Sequence, residues 1–515
     1  MPLGMSLRAD FISLAAGSGI GLVLAPTLVL AQTAPPTTRI AFNAPIITSI
    51  VGGEPADAAL GDFNGDTLQD IAVVVPCVNP QTPGVLVVLL ADPANPGSFL
   101  RGATITVGLD PTGVAVGDFD GKNGADIVVV DGISAPSNVQ VFLNTGPGEF
   151  LLGPAAQAGV EPSDVAVADF NRDGLPDVVV ANRDSLSPTG SITVLFNQGG
   201  GLLQFGAGAD GLGEGSVVGF GARTTLLAGQ KPKSVCPADV DGDGDMDILA
   251  LNAGDANSGS KGSVSSYANT PGQGLTRGVV AFIRQQDVTI GLGPRDETVA
   301  DLNGDGRPDI VVAEFGVAGG PTAPFGDILA IPNISTKPDV FVFDFPRVLV
   351  ADVHGFAVAA VDLDFDGDPD LPIITGTIAN PDPVARVLEN RTPRGQLGPV
   401  LAPAADLLSA TTPRLLLTTN VDGDNDADVL TVGTEIVTPP LLPLNTTVAA
   451  HPNASFRPED VNRDHTVGPG DLLALLASWG KDCTLAPCPE DIDGSGVVGP
   501  GDLLQLLSAW GQRTG

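Results

Sequence analysis

The sequence predicts a mainly β protein made of seven repeated units, followed by a small α-helical domain. The first observation is the composition: Gly and Pro account for 66 and 45 of 515 residues, whereas only 4% of residues are aromatic. The second is an Asp-rich pattern of nine residues that occurs seven times, and the third is a longer pattern that occurs twice near residue 500. This composition is typical of short strands joined by turns.

The nine-residue pattern divides the chain into similar units. It begins at residues 62, 118, 169, 239, 301, 362 and 420, so successive copies start 51 to 70 residues apart. Two representative copies are DFNRDGLPD (169–177) and DLNGDGRPD (301–309). A spacing of this size indicates one supersecondary unit per repeat.

The flanks of the loops predict the strands of each unit. A proline precedes six of the seven loops by seven residues, and Gly355 takes its place in the sixth repeat. Val/Ile-rich runs follow the loops, as in VVVA after Asp177, and a later strand ends at Asn, as at Asn197. About four strands per repeat predict a seven-bladed β-propeller, with a strand near residues 40–50 completing the last blade. An open solenoid is the alternative, although such repeats are shorter.

The loop pattern suits calcium, which binds six to eight hard oxygen atoms in flexible geometry. Asp or Asn at loop positions 1, 3 and 5 directs side-chain oxygens towards one point, and a glycine at position 6 permits a sharp bend. A carbonyl at position 7 and a carboxylate at position 9 would complete the shell. The alternative is that Asp, Asn and Gly merely favour turns. That alternative accounts for one loop, but not for the same register in seven.

The whole pattern, P-x6-DFNGDG-x-x-D followed by V-x-L-N, resembles FG-GAP/VCBS repeats over roughly residues 40–450. Such repeats form the propeller of integrin α-subunits and of many secreted bacterial proteins. The resemblance implies calcium ligands at positions 1, 3, 5 and 9. In this sequence they are Asp62, Asn64, Asp66 and Asp70; Asp118, Asp120 and Asp126; Asp169, Asn171, Asp173 and Asp177; Asp239, Asp241, Asp243 and Asp247; Asp301, Asn303, Asp305 and Asp309; Asp362, Asp364, Asp366 and Asp370; and Asn420, Asp422, Asp424 and Asp428.

Two loops depart from the implied pattern. Lys122 occupies position 5 of the second loop, where its ammonium group could replace the missing cation charge. We therefore treat loop 118–126 as the doubtful calcium site. Asn420 opens the seventh loop and keeps an oxygen ligand without its charge.

The C-terminal pattern is an internal duplication with an offset of 31 residues. DVNRDHTVGPGD (460–471) and DIDGSGVVGPGD (491–502) have EF-hand spacing, with Asp at position 12 and a helix starting as each loop ends. Two such loop–helix units resemble a type I dockerin domain and bring the expected calcium sites to at most nine. The implied ligands are Asp460, Asn462, Asp464 and Asp471 in the first copy, and Asp491, Asp493, Ser495 and Asp502 in the second.

The first C-terminal helix is expected to place Leu472, Leu473, Leu476 and Trp479 on one apolar, core-facing side. The resemblance implies a cohesin-like protein partner. However, Pro-Gly occupies loop positions 10 and 11 in both copies, where dockerins usually carry polar residues that contact the partner. Calcium-dependent folding is therefore the firmer expectation.

The chain termini and linker complete the predicted organisation. Residues 1–31 resemble a signal peptide with Arg8 in its charged region and cleavage after Ala31, and an uncleaved membrane anchor is the alternative. We expect a propeller at 32–435, a Pro-rich linker at 436–458 and the dockerin-like domain at 459–515. The protein is thus expected to be secreted or attached to the cell surface, with no transmembrane segment after cleavage.

Charge and cysteine content constrain the function further. The net charge of −36 excludes the basic footprint that nucleic-acid binding requires. More than half of the 60 acidic residues lie in the nine predicted calcium loops, where they would repel one another without cations. Cys483 and Cys488 could pair in an oxidising compartment, whereas the sequence does not pair Cys77 with Cys236.

The sequence contains no recognisable catalytic signature. None of its three histidines, His354, His451 and His465, lies in a nucleophile–base or zinc-binding motif. The first hypothesis is a binding or adhesion propeller for a polysaccharide or surface ligand. The second is a calcium-dependent polysaccharide lyase or glycoside hydrolase. A cluster of Arg, Lys or His at the propeller mouth would favour the enzyme.

Overall fold

The computed structural model describes residues 40–508, apart from a set of gaps. The gaps are 52, 78, 80, 134–137, 199–219, 256–257, 271–279, 318–324, 377–382, 397, 408–410, 423–425, 436–444, 454–466, 482–491 and 493–496. The chain divides into two compact units, residues 1–37 and 38–515. The first unit, which includes the predicted signal peptide, lies outside the described residues.

The described part of the second unit is mainly β, and all of its strand pairs are antiparallel. The first sheet contains β2 (Asp57–Gly61), β3 (Asp70–Val75), β4 (Val85–Ala91) and β5 (Phe99–Thr106). The second contains β6 (Pro111–Gly117), β7 (Asp126–Asp131), β8 (Val139–Gly146) and β9 (Glu149–Ala156). The third contains β10 (Pro162–Ala168), β11 (Asp177–Asn182), β12 (Ser191–Asn197) and β13 (Phe220–Leu227).

The remaining sheets follow in chain order. The fourth contains β14 (Pro232–Ala238), β15 (Asp247–Asn252), β16 (Ser263–Asn269), β17 (Phe282–Arg284) and β18 (Val288–Thr289). The fifth contains β19 (Pro294–Ala300), β20 (Asp309–Glu314), β21 (Gly326–Ile331), β22 (Arg347–Val358), β23 (Leu371–Gly376), β24 (Val384–Asn390) and β25 (Leu401–Leu407). The sixth contains β26 (Thr411–Thr419), β27 (Asp428–Glu435), β28 (Asn445–His451) and β1 (Ile46–Val51).

The seven-stranded fifth sheet consists of two four-stranded groups that share β22. The first half of β22 pairs with β21, as at Val350 and Ile328, and its last residues pair with β23, as at Val358 and Ile373. Gly355 stands in β22 where six repeats have a proline that lies at or near the start of a strand. Since proline lacks the amide hydrogen needed in a ladder, its absence lets one strand serve both groups.

The first strands of the repeats form a closed series of neighbours. Contacts join β2 to β6, β6 to β10, β10 to β14, β14 to β19, β19 to β22, β22 to β26, and β26 back to β2. Apolar clusters fill the spaces between adjacent sheets. One of them packs Ile71 and Val73 of the first sheet against Leu430 and Val432 of the last sheet. The sheets are thus arranged as in a β-propeller.

The N-terminal strand β1 completes the last sheet, as expected for residues 40–50. It pairs with β28 from Ile46 opposite Ala450 to Val51 opposite Asn445. The assignment of residues 436–458 to a linker therefore needs correction, because Asn445–His451 forms β28. The five prolines of this segment all lie outside β28, so the run NTTVAAH keeps its amide hydrogens for the ladder.

His451, which the linker assignment would expose, is buried in β28. Its Nε2 lies 3.3 Å from Thr431 Oγ1, and burial lowers the pKa of His451 to about 4. An unfolded histidine binds a proton below about pH 6.5, whereas this folded one remains neutral down to about pH 4. Stability present above pH 6.5 is therefore lost as the pH falls from 6.5 to 4.

We expect His451→Gln to remove this part of the pH dependence. Relative to the variant, the original protein should lose up to about 3 kcal/mol of unfolding free energy between pH 7.5 and 4. Urea unfolding at these two pH values, in EDTA, measures the difference. A difference that stays constant with pH would contradict a neutral, buried His451.

The two helices form a small core of their own. Helix α1 spans Pro469–Ala477 and α2 spans Pro500–Ser508, and the two contact each other. Leu475 and Leu506, at equivalent positions, are both fully buried. No helix in the described part of the chain is long and apolar enough to cross a membrane.

The prediction that Leu472, Leu473, Leu476 and Trp479 form the buried side of the first helix is wrong for three of these residues. Leu473, Leu476 and Trp479 are 71%, 49% and 46% exposed, whereas Leu472 is partly buried. The buried position is Leu475, because the helix turns it towards Val467 and Val498. The equivalent Trp510 lies outside the described residues.

Candidate calcium loops and a channel cavity

In the six loops that begin with Asp, this first residue holds the loop closed around its own carboxylate. In the third loop, Asp169 Oδ1 accepts the amide of Asp173 at 3.1 Å, and Oδ2 accepts the amide of Gly174 at 2.8 Å. Asn171 Oδ1 accepts the amide of Asp173 at 2.9 Å, and Asp173 Oδ1 accepts that of Leu175 at 2.9 Å. Side chains at positions 1, 3 and 5 therefore point into the loop.

In the first six loops, the residue at position 6 has a left-handed backbone, which explains the preference for glycine there. Gly174 has φ of 89°, and Gly306 has φ of 83°. The first two loops reach the same region without glycine, at Thr67 (φ 74°) and Asn123 (φ 60°). Asparagine tolerates this conformation, whereas β-branched threonine is strained in it.

The Asp at position 9 is buried and connects its loop to the following strands. In the third loop, Asp177 Oδ2 accepts the amide of Phe170 at 3.1 Å, and Oδ1 accepts the amide of Asn197 at 2.7 Å. Paired bonds of this kind are also made by Asp70, Asp126, Asp247, Asp370 and Asp428. The ninth position therefore supports the fold independently of any ion.

Burial and like charges raise the pKa of the ninth-position carboxyls. Burial raises the pKa of Asp177 to about 7 against the lowering effect of the Asn197 amide, and Asp173 and Asp169 raise it further. The pKa values are about 7 for Asp126 and Asp247, about 6 for Asp70 and Asp309, and about 8 for Asp370. Each loop thus gathers negative charge that a cation would compensate.

Among the described residues, carboxylate oxygens converge in four of the repeat loops. Three of these groups consist of positions 1, 3 and 9, and in each group one ligand atom per residue lies within 4.8 Å of the others. They are Asp118, Asp120 and Asp126; Asp239, Asp241 and Asp247; and Asp362, Asp364 and Asp370. The fourth group contains Asp422, Asp426 and Asp428, whereas the predicted ligand Asp424 lies outside the described residues.

Two residues that the sequence prediction did not include also contribute, one in the fourth group and one in a further group of Asp241, Asp243 and Asp339. Asp426 joins the seventh loop from position 7, and the alternation of Asp in NVDGDNDAD could have indicated it. Asp339 approaches Asp241 and Asp243 from a distant part of the chain, and its amide donates to Asp241 Oδ2 at 2.5 Å. Its 98-residue separation from Asp241 leaves no local signal for it.

The fifth and sixth loops contain buried oxygens without hydrogen-bond partners. Asn303 Oδ1 and Asp362 Oδ1 accept no hydrogen bond from the described residues. Such an atom is costly to bury unless a ligand satisfies it. Together with the all-oxygen donor sets of the loops, these atoms fit a hard cation such as calcium.

Lys122, which makes the second loop a doubtful calcium site, lies at the surface of that loop. Its Nζ is 3.3 Å from Asp120 Oδ2, and its side chain is 55% exposed. The three carboxylates of this loop converge despite it. The reduced affinity of loop 118–126 stays a prediction.

The C-terminal loops are described only where their helices begin. Asp471 and Asp502, the residues at position 12, are fully buried. Asp471 Oδ2 accepts the amide of Gly468 at 2.8 Å, and Asp502 Oδ2 accepts that of Gly499 at 2.6 Å. The other predicted ligands Asp460, Asn462, Asp464, Asp491, Asp493 and Ser495 lie outside the described residues, as do Cys483 and Cys488.

Asparagines at the strand ends link each loop to the loop of the preceding repeat. Asn197 Nδ2 donates to the carbonyl of Phe119 at 3.0 Å, and Asn269 Nδ2 donates to that of Phe170 at 2.8 Å. The same bond is made by Asn144, Asn333, Asn390 and Asn453. Ala91 stands at this position in the first repeat, where the amide of Gly97 instead donates to the carbonyl of Val421.

A polar cavity of about 250 Å³ lies at the opposite ends of the first strands. All seven repeats contribute residues to its lining, since the first strand of each repeat runs from this cavity to its Asp-rich loop. We call it the channel cavity, and its charged residues include Asp57, Asp164, Lys233, Arg295, Asp296 and Arg414.

The three aspartates of the channel cavity hold neighbouring first strands together. Each Oδ2 accepts a backbone amide of the next first strand: Asp57 from Val114, Asp164 from Val235 and Asp296 from Val358, at 2.8 to 2.9 Å. Burial raises the pKa to about 8 for Asp57, and to about 6 for Asp164 and Asp296. These carboxyls thus have a structural role at the strand starts.

Comparisons with known proteins agree with the repeat pattern. Residues 118–180 and 169–250 match the family described as FG-GAP-like repeat, which covers the second, third and fourth loops. No curated protein matches the chain. Among solved structures, the chain is similar to the crystal structure of BBS1N in complex with ARL6DN, soaked with mercury. The two are 11% identical with a TM-score of 0.43, over 81% of this chain and 97% of the other.

The antiparallel sheets and the matched repeats together define a β-propeller-type protein that contains FG-GAP-like repeats.

Proposed function

We propose that this protein is a calcium-stabilised, seven-bladed propeller that acts outside the cytoplasm as a binding or adhesion module. The convergence of carboxylate oxygens at loop positions 1, 3 and 9 carries the proposal. The loops would hold calcium through these positions, and the ion would neutralise charge that burial makes unfavourable. The count of seven blades is supported by the closed series of seven first strands.

The C-terminal domain is proposed as an attachment module of the dockerin type. Its support is the duplicated loop–helix sequence and the equivalent burial of Leu475 and Leu506. Residues 1–31 are proposed as an export signal on the basis of their sequence alone. A protein partner for the attachment module and a polysaccharide or surface ligand for the propeller follow from this proposal.

A sedimentation assay with insoluble polysaccharides tests the binding function. The purified chain is incubated in calcium with each polysaccharide, and both protein in the pellet and sugar in the supernatant are measured. We expect calcium-dependent pelleting without sugar release. Absence of pelleting with every polysaccharide would contradict a glycan ligand and direct the search to protein surfaces.

A calcium-dependent polysaccharide lyase or glycoside hydrolase is the second candidate. The specific observation that favours it is the grouping of Lys233, Arg295 and Arg414 in the channel cavity. Cations in a cavity could bind an acidic sugar, and lysine can serve as a base when its pKa is lowered. Sugar release that EDTA abolishes in the same assay would establish this candidate in place of the first.

A further inference from the structure

Arg295 is held in the channel cavity by aromatic rings and by no ion pair within the described residues. Its Cζ lies 4.0 Å from the ring centre of Phe315 and 5.1 Å from that of Phe356. Cation–π contacts hold a guanidinium flat against a ring but leave its N–H edge available. Arg295 is therefore positioned to donate hydrogen bonds into the cavity.

Arg414 approaches the same ring as a second cation. Its Cζ is 4.9 Å from the ring centre of Phe356, and its Nε is 2.8 Å from Glu54 Oε1. Burial, and then the charge of Arg414, lower the pKa of Arg295, with Glu54 opposing them. Two guanidinium groups beside one ring repel each other, and an anion bound between them would attract both and offset this repulsion.

Lys233 is the third cation of the channel cavity and also forms no ion pair among the described residues. Asp164 and Asp296 line the same cavity, and each accepts a backbone amide with Oδ2. Burial raises their pKa values and Lys233 lowers them, so these two carboxylates partly balance its charge, whereas Arg295 forms no ion pair among the described residues. The cavity of about 250 Å³ has room for one group of the size of a sugar or an amino acid.

We propose that the channel cavity binds a small organic carboxylate between the guanidinium groups of Arg295 and Arg414, with Lys233 as the third cation. The planar fork of a guanidinium matches the two oxygens of a carboxylate, which favours this anion over a spherical one. The inference rests on the proposed binding function of the propeller and names the chemistry of its ligand. A sugar acid and an acidic amino acid both supply this group.

Isothermal titration of the full chain in calcium with glucuronate, glutamate, glucose and sulfate tests the proposal. We expect at least one of the two carboxylates to bind, and the tighter one identifies the source of the group. Arg295→Gln should weaken that binding at least about tenfold, because a charge-assisted hydrogen bond is lost. Arg101→Gln, at an exposed arginine bonded to Thr104, is the matched control and should bind normally.

Arg295→Lys separates a binding defect from a folding defect. It keeps a positive charge but loses the planar fork, so its affinity should fall between those of the original protein and Arg295→Gln. Equal binding of glucose, sulfate binding as tight as that of the carboxylates, or unchanged affinity in both variants would overturn the carboxylate site. Absence of binding by a chain that calcium still stabilises against heat would overturn this site while leaving the calcium proposal intact.

Discussion

Removing calcium with EDTA should lower the melting temperature of this protein by roughly 10 °C or more. Each site that binds calcium only in the folded state adds about 2.7 kcal/mol at a calcium concentration one hundred times its dissociation constant. The effect should be large because several loops contribute and each gathers carboxylates around one point. Loss of the ions would restore repulsion at the buried ninth-position aspartates.

Thermal unfolding followed by circular dichroism in calcium, in EDTA and in EDTA with calcium restored measures this effect. Magnesium serves as the control, since it demands a smaller octahedral site and should restore the melting temperature less well. Equal melting temperatures in calcium and EDTA would show that the loops close without ions, through their backbone hydrogen bonds alone.

Asp177→Ala should be strongly destabilising whether calcium is present or not. The substitution removes both acceptors of Asp177 and leaves the buried amides of Phe170 and Asn197 without partners. Each unsatisfied buried group costs about 1–3 kcal/mol, so the unfolding free energy should fall by about 2–6 kcal/mol in EDTA. Urea unfolding in EDTA and in calcium measures the loss.

Asp173→Ala is the matched substitution in the same loop. Asp173 is exposed and accepts only the amide of Leu175, so the change should cost at most about 0.5 kcal/mol in EDTA. In calcium it should lower stability further, because a proposed ligand is lost. If Asp177→Ala behaved like Asp173→Ala in EDTA, the ninth position would have no structural role apart from the ion.

The repeat architecture was predictable because its signals are local. The ninth-position residue and the Val/Ile run after it are adjacent in sequence, so Asp177 and the buried strand β11 appear as one pattern. The strand-end asparagines were also visible, as at Asn197, but their role was not. The bond from Asn197 to Phe119 joins residues 78 apart, and no periodicity indicates such a contact.

The features that the sequence missed depend on the meeting of distant segments. Lys233, Arg295 and Arg414 belong to three repeats and become neighbours only when the first strands gather around one cavity. The strand Asn445–His451 was obscured by the prolines on either side of it. Helical periodicity identified an apolar α1 but did not distinguish buried Leu475 from exposed Leu473.

The pairing of β1 with β28 determines when the protein can finish folding. Ile46 pairs with Ala450, which lies about 400 residues later in the chain. Closing so long a loop is entropically costly and slow. During synthesis β1 emerges first, yet its partner strand is made near the end. Until then the last sheet lacks both β28 and β1, and the first sheet lacks part of the apolar surface it packs against. A nascent chain, or one truncated before β28, therefore exposes open strand edges, and its protection from aggregation depends on completing Asn445–His451.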